Sequence, residues 1–146
     1  LPGKVSYIVS ACLCGIPCRY DGTSSPNKQV IELVRKGKAI PICPEVLGGL
    51  SIPRIGMDLV GGEGKDVLDG SARLISRKGD DLTVSLLRGA SASFGIARKF
   101  RIKKALMKQR SPSCGCGLIK RRGRTIEGDG FTTALLKREG ITVTPR

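Results

Sequence analysis

Six cysteines and no histidine among 146 residues narrow the chemistry open to this chain. Without imidazole, a soft-metal site must be built from thiolates alone, or from thiolates with one position left open. All-sulfur ligation favours zinc or an iron–sulfur cluster. The cysteines fall into three groups: Cys12, Cys14 and Cys18 in "CLCGIPCRYDG", Cys43 at the head of "CPEVLGG", and Cys114 and Cys116 in "RSPSCGCG". No C-x-x-C pair occurs, so the knuckles of structural zinc are missing. The tight cysteine run of ferredoxins is missing too. Structural disulfides are disfavoured: no leader-like segment points to an oxidising compartment, and a chain of this length can hold a core without them. The expected location is the cytoplasm. Buried free thiols acting as small apolar residues are a further alternative. The dispersed spacing favours a cluster whose ligands arrive from separate strand ends.

Such ligands need elements to bring them together. Residues 4–11, "KVSYIVSA", form an apolar β-branched run that reads as a buried strand ending on Cys12. Ser25 with Pro26 predicts a helix start, Val30, Ile31, Leu33 and Val34 its apolar face, and Gly37 its end. Residues 39–42, "AIPI", predict a second strand running into Cys43. Residues 48–70 are glycine-rich and read as a long loop, followed by a short strand or ribbon at 72–77. Residues 80–100 read as a helix with Val84, Leu87, Phe94 and Ala97 on its apolar side. Gly89 and Gly95 weaken it by about 1 kcal/mol each. Residues 103–109 predict a strand that delivers Ser111 to Cys114. A basic loop follows, then a helix capped by Asp129, then a last strand at 141–144.

This alternation predicts an α/β fold: a single three-layer domain over residues 1–146, with a small, mainly parallel, Rossmann-like sheet flanked by helices. In such sheets ligands bind outside the carboxyl ends of the strands. Cys12, Cys43 and Cys114 each follow a predicted strand, so they should converge on one rim. Three thiolates would leave one iron of a cluster open as a Lewis acid. Cys18, six residues past Cys12, is the runner-up ligand. Cys14 and Cys116 are expected not to ligate.

Glu45, two residues past Cys43, would lie beside such a cluster. Desolvation and the cluster's negative charge would raise its pKa and suit it to proton transfer; alternatively it is a helix-start charge. Ser111 and Ser113 could hydrogen-bond a substrate or merely satisfy their turn. The net charge of +14 attracts anions: phosphate, nucleotide or RNA. Arg19, Arg54, Lys120, Arg121 and Arg122 are the candidate contacts. Three Phe, two Tyr and no Trp offer little for base stacking along a single strand. No apolar run approaches a membrane span.

Together "SACLCGIPCRYDG", "CPEVLGGL", "RSPSCG" and "GDGFTTALL", spread in this order over nearly the whole chain, resemble the motifs of the thiouracil desulfidase family. The resemblance implies one α/β domain with a 4Fe–4S cluster on three cysteines, falling on Cys12, Cys43 and Cys114. It implies non-redox removal of sulfur from a thiolated pyrimidine such as 2-thiouracil, 4-thiouracil or a thiouridine nucleotide, with thiouridine in transfer RNA as an alternative substrate. The acid/base falls on Glu45 and the helping hydroxyl on Ser111. Cys14 and Cys116 stand where the family more often has Leu and a small residue. "LIKRRGRTIEG" replaces a more aromatic stretch, a change that bears on substrate choice. Two rivals predict different behaviour: a basic, zinc-stabilised RNA-binding module, and an electron-transfer protein with Cys18 as a fourth ligand.

Overall fold

The computed structural model describes residues 4–146. In chain order the elements are β1 (Tyr7–Ser10), α1 (Lys28–Arg35), β2 (Ala39–Ile42), α2 (Pro44–Leu47), β3 (Met57–Val60), α3 (Gly64–Asp69), β4 (Arg73–Ser76), α4 (Thr83–Lys99), β5 (Lys104–Met107), β6 (Leu118–Arg121), β7 (Arg124–Glu127), α5 (Phe131–Arg138) and β8 (Thr142–Pro145). A 3₁₀ turn, Ala11–Cys14, follows β1 directly. Four strands form one parallel sheet in the order β2–β1–β5–β8. Tyr7 lies opposite Ala39 on one side and Lys104 on the other, and Lys104 lies opposite Thr142.

The sheet is short but buried on both faces, as parallel sheets require. Alternation assigns the faces. Ile8, Ala105 and Met107 pack with Ala97 of α4 and Leu136 of α5. Val9 and Leu106, one residue out of phase, pack with Val30, Leu33 and Val34 around α1. Burying each of these large side chains contributes roughly 1.5–3 kcal/mol. The order is thus α1, sheet, α4 with α5, the three layers expected. A further core joins the antiparallel β3–β4 ribbon and α3 to the other side of α4 and α5, through Leu59, Leu74, Val67, Leu86 and Phe131.

Several local expectations need correction. α1 starts at Lys28, capped by Asn27, whose Oδ1 accepts the Val30 amide at 3.2 Å. Ser25 is not the cap because its amide and that of Asn27 already donate to the carbonyls of Cys12 and Leu13, at 2.9 and 2.8 Å. Residues 48–70 are not all loop, since they contain β3 and α3. Their glycines bracket two short elements whose stability comes from packing, not propensity. The basic loop is a hairpin of β6 and β7, turned at Arg122 and Gly123 with φ of 50° and 75°, the geometry of a type I′ turn. In α4 the buried line runs through Leu86, Ala90 and Ala97, while Val84 is exposed.

α5 is capped by Gly130, not Asp129. The Asp129 carboxylate accepts instead from the Gly117 amide and Lys137 Nζ, at 2.8 and 2.9 Å. A Cβ at position 130 would run into the Ser113 backbone, so only glycine lets α5 begin there.

Candidate active site

The carboxyl ends of β1, β2 and β5 open onto one cavity of about 330 Å³. β1 and β5 are neighbours, and the chain leaves β1 toward β2 on one side and returns through β5 on the other. The cavity therefore lies where open parallel sheets bind ligands.

Two loops build one wall. After β1 the 3₁₀ turn places Cys12, and the chain returns to place Cys18; both are buried against Ala11 and Cys43. After β2, Cys43 caps α2, Pro44 takes its first position, and Glu45 sits in its first turn. A single turn needs outside support. It comes from α4, where Gly89 meets the Pro44 carbonyl so closely that any Cβ would collide with it. The carboxylate of Glu45 is held by Arg54: Nε donates to Oε1 at 3.0 Å, with side-chain exposures of only 7% for Arg54 and 17% for Glu45. Arg54 Nη2 also donates to the Cys18 carbonyl at 2.9 Å.

The facing wall follows β5. Ser111 Oγ accepts the amides of Ser113 and Cys114, both at 3.1 Å. The carbonyls of Pro112 and Ser113 accept the first amides of α5, from Phe131 and Thr132, at 3.0 and 2.9 Å. Thr133 Oγ1 donates to the Cys114 carbonyl at 2.7 Å. The amides that a helix start normally leaves without partners are here spent on the cysteine loop. That accounts physically for the pairing of "RSPSCG" with "GDGFTTALL".

The thiols sense one another and their burial. A hydrogen bond with Cys18, then burial, push the Cys43 thiol far above its ordinary range. The hydrogen bond with Cys12 raises Cys18. Burial pushes Cys114 up to about 12, against the opposing hydroxyls of Ser10 and Ser113. Without a metal, burial and mutual contact therefore favour the protonated thiols of Cys18, Cys43 and Cys114, and a bound metal centre would replace those protons. Among the described residues, no three His, Cys, Asp or Glu side chains close on a point that would hold one ion. The sulfurs line a cavity instead of enclosing a point. A donor set of soft sulfur spread along a cavity wall suits a body larger than one ion, such as an iron–sulfur cluster.

Cys12, Cys43, Cys114, Glu45 and Ser111 all line this cavity, and so does Cys18. Cys14 packs toward α1, and Cys116 Sγ lies 3.6 Å from the Val143 carbonyl; neither lines it. Of the basic candidates, Arg19, Arg54 and Lys120 line it, whereas Arg121 and Arg122 do not. Arg77, Lys108 and Arg110 also line it and were missed. For Lys108 and Arg110 the signal was present, because they leave β5 beside Ser111. Burial, then the nearby Arg19, lowers the pKa of Lys108. The pairing of Arg54 with Glu45 was missed as well. Among the described residues Tyr20, 41% exposed, is the one aromatic that lines it.

Comparison with known proteins points one way. A family model described as 2-thiouracil desulfurase matches residues 7–146. The protein YbbK of Bacillus subtilis (strain 168) is 40% identical over 139 residues, 93% of this chain and 92% of that protein. A solved structure of the 4Fe–4S-dependent thiouracil desulfidase TudS aligns with a TM-score of 0.84 at 38% identity, covering 98% of this chain and 91% of that one. Among the described residues no helix is long and apolar enough to cross a membrane.

Proposed function

Since this chain belongs to the 2-thiouracil desulfurase family, we propose that it hydrolyses the thiocarbonyl of a thiolated pyrimidine, with residues 1–146 acting as one desulfidase domain. Thiocarbonyl plus water gives carbonyl plus hydrogen sulfide. Carbon keeps its oxidation state, so no electron donor is needed. Cys12, Cys43 and Cys114 are the proposed holders of a 4Fe–4S cluster. When bound, the cluster supplies a Lewis-acidic iron toward the substrate's sulfur.

The chain's own residues do the rest. Glu45 Oε1 is committed to Arg54, which leaves Oε2 as the oxygen for solvent or substrate. Oε2 takes a proton from the attacking water, whose oxygen bonds to the ring carbon. As the C–S bond breaks, that proton passes to the departing sulfur, the new hydroxyl gives up the second proton as the carbonyl forms, and the sulfur leaves as hydrogen sulfide. Ser111 Oγ already accepts two amides, so its remaining capacity is its own hydrogen. It therefore donates to the substrate or the water and orients it, and does not act as a base. The burial of Cys12, Cys18 and Cys114, and the partial burial of Cys43 and Glu45, limit the access of bulk water to these contacts.

The observation that carries this reading is the common cavity shared by strand-end thiols, a carboxylate and a serine hydroxyl. Arg19, Lys108, Arg110 and Lys120 at the same cavity favour a substrate with a phosphate, such as a thiouridine nucleotide, over a free base. Thiouridine in transfer RNA is the larger alternative, and steep salt dependence of turnover would identify it. A reducing compartment such as the cytoplasm would keep the thiols free for iron. The test is anaerobic reconstitution with iron and sulfide, followed by a sulfide-release assay on 2-thiouracil, 4-thiouracil and 4-thiouridine monophosphate. Release without any electron donor supports the reading. Unchanged turnover in Glu45→Ala ends the case for the carboxylate.

A further inference from the structure

We infer that Arg54 is a positioning residue, whose guanidinium fixes Glu45 against the Cys18 loop and so sets where Glu45 presents its free oxygen to the cavity. The inference rests on the proposed acid/base role of Glu45. Arg54 stands in a loop nine residues past that carboxylate. Its backbone amide donates to the Tyr20 carbonyl at 2.7 Å. Its three nitrogens donate to three different acceptors: Nε to Glu45 Oε1 at 3.0 Å, Nη2 to the Cys18 carbonyl at 2.9 Å, and Nη1 to the Ser51 carbonyl at 3.1 Å. One side chain thus joins the cysteine loop, the α2 turn and its own loop.

Glu45 cannot hold itself in place. It sits on a four-residue helix, and a glutamate side chain has three rotatable bonds. With side chains only 7% and 17% exposed, an unpaired charge on either partner is costly, which favours the closed pair. Lysine could replace the charge but not the planar fork that reaches three acceptors at once. Three of the five guanidinium N–H groups already have protein acceptors, one on each nitrogen, so the side chain is held in place by the protein and keeps only two donors for anything else. Arg54 therefore acts on the substrate through Glu45.

The test is a double-mutant cycle of Arg54→Lys and Glu45→Gln in the reconstituted enzyme. The Glu45→Gln variant keeps a side-chain oxygen for Arg54 but loses the base. Arg54→Lys should lower kcat by about 30- to 100-fold, the order expected for a misplaced catalytic group, with KM within about threefold. Iron per chain and Tm should stay near wild type. In the Glu45→Gln background the same substitution should cost less than about threefold more, because a positioner has nothing left to position. Equal losses in both backgrounds, an unchanged kcat, or a raised KM at constant kcat would each overturn the inference. Should Arg54→Lys fail to fold or to load iron, Arg54→Gln, which keeps an amide donor, goes through the same cycle under the same criteria. An inactive wild type defeats the desulfidase reading and Arg54's role together. An active wild type with additive losses defeats Arg54's role alone.

Discussion

The two walls of the cavity are held by different means. The Cys114 wall is sewn to α5 by backbone: Pro112 and Ser113 carbonyls to helix amides, and the Gly130 amide to the Gly115 carbonyl at 2.8 Å. The wall bearing Cys12, Cys18, Cys43 and Glu45 adds side-chain ties to its own backbone bonds, chiefly the part-buried Arg54–Glu45 pair and the Arg54 bond to the Cys18 carbonyl. Backbone lacing ties a site to global stability, because it breaks only when the helix start breaks. A side-chain clamp can fail while the fold survives. Apart from the proposed ligands Cys12, Cys43 and Cys114 and the proposed hydroxyl Ser111, substitutions on the first wall should therefore act on folding, and those on the second on turnover.

Removing ligands sharpens this contrast most. Cys114→Ala should abolish iron loading on anaerobic reconstitution, and Cys18→Ala should leave most of it, as read by iron and labile sulfide per chain. The reverse pattern would move the ligand set to Cys18 and leave Cys114 as a buried thiol. Next in size is Gly130→Ala. Its new Cβ meets the Ser113 backbone, and overpacking of this kind costs about 1–3 kcal/mol. For a chain of this size that is a Tm drop of several degrees or more in the metal-free protein. On the other wall Gly89→Ala pushes on the Pro44 carbonyl. It should lose a similar stability and more kcat per degree of Tm, since α2 carries Glu45. Equal ratios of activity loss to Tm loss in the two variants would break the comparison.

The legible part of the site was the part set by topology. Cys12, Cys43 and Cys114 could be placed together because parallel strands share one carboxyl rim, whatever lies between them. The Arg54–Glu45 pair was illegible because a Gly- and Pro-containing loop separates the two, and no periodicity predicts how such a loop folds back. Gly89 looked like a weakness in a helix, when it is the gap that α2 occupies. In "LIKRRGRTIE" the Arg-Gly turn signal was present, but its dense positive charge masks the alternation of its two strands. The shift of the α1 cap from Ser25 to Asn27 was decided by amides already bound to the 3₁₀ turn, a tertiary fact no cap preference contains.

Acidity offers a smaller test of the laced wall. In metal-free protein Cys114 is pushed up to about 12 from an ordinary 9.0, and Cys43 is raised in the same direction. A raised thiol pKa means that the unfolded chain ionises first. The stability it contributes is whole below about pH 9 and is lost as pH climbs toward 12. Tm of the metal-free protein should therefore fall across this window. Cluster-loaded protein, whose ligating sulfurs are already deprotonated, should fall less. Parallel curves for the two forms would show that these thiols do not bind the metal centre.

The smallest effect comes from a glycine on the same helix as Gly89. Gly95 lies within α4, is exposed, and has nothing within 4 Å of where a Cβ would stand. Alanine there gains helix propensity without touching either wall. Gly95→Ala should raise stability by about 0.5–1 kcal/mol and leave iron content, kcat and KM unchanged. Six positions apart, the two substitutions use the same chemistry in opposite contexts, so their difference isolates the packing of α2 from the propensity of α4. Should Gly89→Ala also stabilise the protein, α2 does not rest on α4 as closely as the Pro44 contact implies. The support assigned to Glu45 would then have to come from Arg54 alone.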